Sequence, residues 1–436
     1  MMKNDQTTKQ EPAPLAAGDL RSYRLLLARN PRYRKFWLAG IISQLGNWFN
    51  YIAIFVLLNQ LTGTGSAVSW FLIAKFLPTA FLGPAAGVLA DRFSRKTIMV
   101  LCDLVRVFVV LGFLLVDSPD KVWLVYALAL VQESVWSFYD PARRASVPNL
   151  VGRGELNVAN ALSGATWSLM LAFGAAAGGF VTASLGWQAA ILIDAATFAI
   201  SAGLLASIPL PPPPKRGATR TGWRAYTGID DFIEGFRYVA GHPRVAGRLL
   251  VKGGWASAGG ILVLLTVFGE QVFQAAGQGT GSGILYSARG IGAAIGPILA
   301  WRLMGESRKA MHRAIGFAFF VAGLAYIGFS QAPSLMVAVP FVLLGHMGGS
   351  VQWIFSTTLL QRTVEDRYRG RVFAAEMALL TLVLSLSTFL TGVALDSGIP
   401  PREVALKLAL LFFVPGSVWT IIDRNNNRKP PRGAGK

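Results

Sequence analysis

The chain has 436 residues, 53% of them apolar and only 14% Asp, Glu, Lys or Arg, with a mean hydropathy of +0.48. Water-soluble domains carry about 25% charged residues, so this composition excludes one and describes a polytopic membrane protein. The formal charge of +19 does not point to nucleic acid, because the cations are spread over both tails and alternate loops, while the loops between hold only Lys121 and Arg402 as basic residues.

Residues 1–35 read as a polar, basic tail with no small-residue cleavage site. Twelve apolar runs follow, at 36–61, 67–90, 97–116, 122–140, 159–184, 187–208, 249–272, 281–301, 311–329, 334–359, 371–396 and 403–423. Runs of this length can cross a hydrocarbon core of about 30 Å as helices. An even number of crossings with alternating charge puts both termini in the cytoplasm of a bacterial-type inner membrane. The expected units are a bundle over 36–208, a cytoplasmic linker over 209–248, a second bundle over 249–423 and a short tail over 424–436. The linker opens on PLPPPPK, a stiff spacer. It continues with Ile229, Phe232, Ile233, Phe236 and Val239 at helical spacing, a helix lying on the membrane surface or on the protein's own loops.

Between the second and third runs sits GVLADRFSRK, Gly87 to Lys96, too charged for lipid. Gly83 and Gly87 offer a flat face for a neighbouring helix. The two halves echo each other: GPAAGVLADR aligns with GAAIGPILAW when Gly87 is set against Gly296, and SRK follows at Ser94 and at Ser307. Ala300 stands in place of Asp91. SVPNLVGRGELNVANAL, from Ser146, pairs likewise with TLLQRTVEDRYRGRVFA, from Thr358.

The ionisable groups that stand out inside the runs are Lys75, Asp103, Arg106, Glu133, Asp194, Arg289, His346 and Glu376. Each costs at least about 2.5–3.5 kcal/mol in lipid, and so is a functional candidate until paired. Asp103 and Arg106 share one helix face and are expected to pair with each other or with the Asp91 loop. Glu133, between Gln132 and Trp136, is the candidate for proton coupling, with an ion pair to Lys75 or Arg289 as the alternative. Gln44, Asn47 and Asn50 form a polar stripe on the first run; His346, Gln352 and Trp353 lie on the tenth. With Lys75 and Arg289, these amide, indole and charged groups suit a cavity for an amphiphile. Cys102 is the sole cysteine and His242, His312 and His346 are scattered, so no disulfide or metal site is expected. The run GQGTGSG, from Gly277, follows no strand and reads as a flexible turn rather than a dinucleotide site.

Gly87, Leu89, Ala90, Asp91, Arg92, Arg95 and Lys96 resemble the signature loop of the major facilitator superfamily. FYDPARRASVPNLVGRGELNVANALSG, ILIDAATFAISA, IEGFRYVAGHPRV and RGRV at 369–372 are similar to the branch that contains enterobactin exporters and proton-driven multidrug exporters. The resemblance implies an all-α membrane fold of twelve helices in two pseudo-symmetric six-helix bundles, working by alternating access around a central cavity. It also brings the loop of Asp91, Arg92, Arg95 and Lys96 beside Gly370 and Arg371 at the start of the eleventh helix, with Asp103 and Arg106 as gating neighbours. Two departures stand out: Asn47 where many members of this branch carry an acid, and Ala175 where the exporters carry a proline. The expected function is transport of a small amphiphile by a monomer, without enzymatic activity or cofactor. Proton-coupled efflux of the drug or siderophore type comes first, with an importer, a lysolipid flippase or a non-transporting receptor as alternatives. The expected partners are the substrate, protons and membrane lipid, and no nucleic acid.

Overall fold

The computed structural model describes residues 20–210, 229–273, 277–305 and 307–428, and among them every regular element is a helix. Part of the expected tail is helical. Leu20, Tyr23, Leu26 and Leu27 recur at helical spacing, and α1 (Leu20–Arg29) seals Leu26 against the bundle with no exposure. Asn30 then caps α2 (Pro31–Leu61): its Oδ1 accepts from the Tyr33 N–H at 2.9 Å and its Nδ2 donates to Leu150 O at 2.6 Å. α3 (Gly65–Arg92), α4 (Arg95–Gly112) and α5 (Val122–Leu150) each cross once. The next apolar segment, Leu156–Ala206, has 51 residues. As one helix it would run about 77 Å, more than twice the hydrocarbon thickness. It turns back at Gly186, whose φ of 84° is open to glycine without steric cost. Among the described residues, eleven segments long and apolar enough to span therefore make twelve crossings. Within this one, α6 (Leu156–Leu169) runs through a π turn, Met170–Gly174, into α7 (Ala175–Ala206), so the exporters' proline is replaced by a wide turn just before Ala175.

The second half comprises α8 (Ile229–Gly241), α9 (Pro243–Ala256), α10 (Ile261–Val267), α11 (Thr280–Met304), α12 (Arg308–Gln331), α13 (Leu335–Gln361), α14 (Asp366–Asp396), α15 (Pro401–Leu411) and α16 (Phe413–Arg428). α9 with α10 forms the seventh crossing, and α15 with α16 the twelfth. The SRK repeat has a physical purpose in both halves. Ser94 Oγ accepts from the Thr97 N–H at 3.3 Å to start α4, and Ser307 Oγ accepts from the Ala310 N–H at 3.1 Å to start α12. The linker's proline string from Pro211 onward lies outside the described residues.

Two faces result, a basic one carrying α1, the Gly87–Lys96 turn and α8, and an opposite one with short connections. α2 packs on α7 and α3 on α5 in the first half, α11 and α12 on α13 in the second. The halves meet where α3 lies on α14 and α7 on α11. At the second seam the backbones touch: a Cβ on Gly179 would sit 2.8 Å from Gly279 O and 3.1 Å from Gly283 Cα. The glycine run is thus only half a turn, because α11 begins at Thr280 and needs Gly283 for this approach.

Side-chain ties between the halves gather at the opposite face. Gln271 Nε2 donates to Asn59 Oδ1 at 2.8 Å, and Gln60 hydrogen-bonds Gln278. Asp396, at the end of α14, accepts from the Gly65 and Ser66 N–H groups at 3.1 and 3.3 Å. A carboxylate on the first turn of α3 is favoured by the helix dipole. Among the described residues the expected close approach at Gly83 and Gly87 is not made, since a Cβ on either would meet nothing within 4 Å. Their counterparts Gly292 and Gly296 press on the Leu343 and Met347 carbonyls of α13. Side-chain ties between the halves thus hold the opposite face, while among the described residues nothing packs on Gly83 or Gly87.

α8 rests on the protein. Gly235 abuts Arg371 O, Glu234 Oε1 pairs with Arg371 Nη1 at 2.8 Å, and Tyr238 stacks on Tyr368 at 4.3 Å, while Ile233 and Phe236 stay exposed.

Candidate functional site: an ionisable layer at mid-depth

Helical rise puts Tyr51, Lys75, Glu133, Arg289 and His346 at about the same depth, 14–17 Å from the opposite-face ends of their helices. Lys75 Nζ lies 3.5 Å from Glu133 Oε2, and the two side chains keep 12% and 15% of their surface exposed. This settles Glu133's partner as Lys75. Lys75 Nζ also sits 5.9 Å from the centre of the Tyr51 ring. Tyr51 meets Tyr286 of the other half edge to face at 5.7 Å, and Trp48 packs on both at 5.5 and 6.0 Å. Tyr286 donates its O–H to Leu262 O at 3.0 Å, while the Arg289 guanidinium lies 5.6 Å from its ring centre. Arg289 Nε reaches His346 Nε2 at 3.0 Å, and His346 Nδ1 contacts the Tyr326 hydroxyl.

The layer draws on corresponding helices of the two halves. Lys75 and Glu133 are on the second and fourth crossings of the first half, Arg289 and His346 on the second and fourth of the other. The register that sets Ser146 against Thr358 sets Glu133 against Gly345, next to His346. Each half thus presents a cation and a titratable partner to a shared aromatic wall.

The remaining candidates fall elsewhere. Gln44 and Asn47 each donate to their own helix, at Gly40 O (3.1 Å) and Ser43 O (2.7 Å). Asn50, Gln132 and Gln352 are 1% exposed, and their amide groups find no partner among the described residues. Gly46, one turn before Asn50, faces Asp194 and Thr197, which turns that side of α2 into its own bundle. Trp136 stacks on Tyr139 at 5.3 Å and belongs to a brace. There Arg106 pairs with Asp103, Ser201 Oγ donates to Asp103 Oδ2 at 2.7 Å, and the guanidinium lies over Tyr139 and Phe198 at 4.5 and 4.2 Å. With no exposure at either charge, this pair ties α4, α5 and α7 together. Trp353 is 40% exposed, with Lys252 Nζ 4.4 Å over its ring.

Of the gating set, the side chains of Asp91 and Arg92 lie outside the described residues. Arg95 donates to Ala145 O at 2.7 Å and to Ala90 O at 3.2 Å, locking the turn onto α5; Lys96 is half-buried and Gly370 exposed. Arg371 faces α8 through Glu234.

Sequence reading missed Lys252, whose Nζ is 2.7 Å from Glu376 Oε2 with 4% and 0% of the side chains exposed. It stands at the start of an apolar run after a basic linker, where a lysine normally snorkels to water. It also missed Tyr51, Tyr286 and Tyr326, which read as ordinary core. A cleft of about 390 Å³ lined by Gly63, Gln271 and Asp396 opens on the opposite face, with neither Lys75 nor Arg289 in its lining.

Paired helical bundles with ionisable groups at mid-depth where the halves meet are the build of a secondary transporter. The family model described as Major Facilitator Superfamily matches residues 36–391. The chain belongs to the major facilitator superfamily, and it is a multi-pass membrane transporter. It is 28% identical over 387 residues to the uncharacterized MFS-type transporter YfiS of Bacillus subtilis (strain 168), a match covering 85% of this chain and 87% of that one. A second transporter of that strain, YkuC, is 26% identical over 239 residues, with 52% of this chain and 56% of that one covered. The enterobactin exporter EntS of Escherichia coli O139:H28 (strain E24377A / ETEC) is 27% identical over 359 residues, covering 80% and 81%. Among solved structures, a bacterial homologue of the human lysosomal transporter Spinster, in an inward-facing and unoccupied conformation, superposes with a TM-score of 0.70 at 14% identity, covering 92% and 99%. At that identity the likeness carries the fold alone.

Proposed function

We propose that this chain exports a small amphiphilic molecule across the bacterial cytoplasmic membrane in exchange for protons, as a monomer working by alternating access. The basic face is cytoplasmic on this reading, which follows the positive-inside distribution of Lys and Arg. The side-chain ties between the halves then lie at the outer face.

The observation that carries the proposal is the Lys75–Glu133 pair, a carboxylate and an ammonium at mid-depth that are neither sealed nor hydrated freely. Protonating Glu133 removes the charge that holds Lys75 and leaves the ammonium for a substrate group or for a rearranged packing. A proton taken up on one side and released on the other is thereby linked to which face is open. The direction draws on the name of EntS and on the sequence motifs shared with that branch. No cofactor is required, since the proton gradient supplies the energy.

The test is accumulation of a labelled amphiphile in cells expressing the protein, with and without a protonophore. Export predicts less label in expressing cells, with the difference abolished by the protonophore. More label in expressing cells would favour an importer, and no difference for any compound a passive receptor.

A further inference from the structure

We propose that Arg289 receives an oxyanion, a carboxylate or phosphate group, of the transported molecule, with Trp48 and Tyr51 holding the apolar part beside it. This inference rests on the reading of the chain as a transporter of a small amphiphile and adds the chemical class of the cargo.

The other mid-depth cations have carboxylate partners, while the buried Asp194 is a carboxyl group held by Thr197. Lys75 has Glu133, Arg106 has Asp103 and Lys252 has Glu376. Arg289 has no carboxylate within 4 Å among the described residues; its ties are the Nε bond to His346 Nε2 at 3.0 Å and the face of Tyr286. His346 is not a counter-charge. A guanidinium is always protonated, so its N–H donates, and the imidazole nitrogen facing it must offer a lone pair. The ring is therefore neutral, with its proton on Nδ1 directed to the Tyr326 oxygen. His346 and Tyr326 are 5% and 2% exposed, and the Trp255 ring stands edge-on to the imidazole, 6.4 Å between centres. These fixed groups pin the Nε edge of Arg289 and leave its terminal N–H groups without a partner among the described residues.

An arginine held by one edge presents the other as a planar fork that matches a carboxylate or phosphate through two parallel hydrogen bonds. A lone guanidinium inside a membrane protein is costly, and an incoming anion offsets that cost. The half-buried rings of Trp48 and Tyr51, backed by the buried Tyr286 next to the fork, suit the apolar remainder of an amphiphile.

The experiment uses the full chain in lipid nanodiscs and intrinsic tryptophan fluorescence to compare three ligands of one skeleton: 4-phenylbutanoate, 3-phenylpropyl phosphate and the neutral 4-phenylbutanamide. The expected result is at least tenfold tighter binding of one or both anions than of the amide, and the stronger of the two tells which oxyanion the site takes. In Arg289→Gln the anion preference should fall below threefold while the amide binds as before. Arg289→Lys, which keeps the charge and the fold but loses the fork, should retain part of the preference. Equal binding of all three by the unaltered protein, binding of none, or an undiminished preference in Arg289→Gln would each overturn the inference. Because these are binding measurements, a lost preference with protonophore-sensitive export intact removes only the anion site. A retained preference without such export removes only the exporter reading.

Discussion

Replacing Glu133 by Gln is expected to leave exchange of substrate across the membrane running while abolishing its accumulation against a gradient. Glutamine has the shape of the protonated carboxyl and cannot release a proton, so the cycle loses the step that ties substrate movement to pH. One proton crossing a difference of one pH unit supplies about 1.4 kcal/mol, enough for about a tenfold concentration ratio. In proteoliposomes with an imposed gradient of one unit, the wild type should approach that ratio and Glu133→Gln should stay near one. The pH dependence of the rate should flatten with it. Lys75 loses its counter-charge in this variant, so Lys75→Met with Glu133→Gln is the control for misfolding. It should be equally uncoupled and better tolerated. A wild-type ratio in Glu133→Gln would remove this residue as the proton site.

Truncating Glu376 is expected to give the largest loss of stability. The Lys252–Glu376 pair is buried nearly completely, between the seventh and eleventh crossings, with Lys252 also over the Trp353 ring. Removing one partner of such a pair costs about 3–5 kcal/mol, because the other charge stays buried without compensation. Glu376→Ala should therefore melt well below the wild type in detergent. Removing both charges, as Lys252→Met with Glu376→Met, should recover most of the loss, since apolar groups of similar volume replace a buried pair at little net cost. A double variant as unstable as the single one would mean that the ion pair itself, and not the orphaned lysine, holds α9 to α14.

Much of the fold was legible because hydropathy and charge are one-dimensional signals. Span lengths, the SRK repeat with its two serine caps, and the Asp103–Arg106 pairing at one helical turn follow from spacing along the chain. The candidate site was legible only in depth. Spacing places Lys75, Glu133, Arg289 and His346 at mid-membrane, but which cation meets Glu133 depends on how the helices are rotated about their axes. That rotation is set by packing such as Gly179 on Gly283 and Gly178 on Trp48 O. The polar stripe of Gln44, Asn47 and Asn50 divides for the same reason. Asn50 follows Gly46 to the interior, while Gln44 and Asn47 spend amide protons on their own helix. Glu376 was recognisable as an intramembrane charge, yet its partner was hidden by Lys252's position beside a basic linker. The glycines at 83 and 87 signalled a close approach that the described residues do not make, because small-residue spacing marks where a helix can approach and not whether one does.

Alternating exposure of the mid-depth layer is tested most directly by two spin-label distances in the same reconstituted protein, in a background where Cys102 is replaced. One pair, at Gln60 and Gln278, spans the face opposite the basic one, where these residues hydrogen-bond. The other, at Phe93 and Tyr368, spans the basic face. On changing pH or adding substrate, the first distance should lengthen as the second shortens, in the same molecules and to the same fractional extent. Two distances that stay fixed, or that lengthen together, would contradict a pair of bundles rocking about that layer.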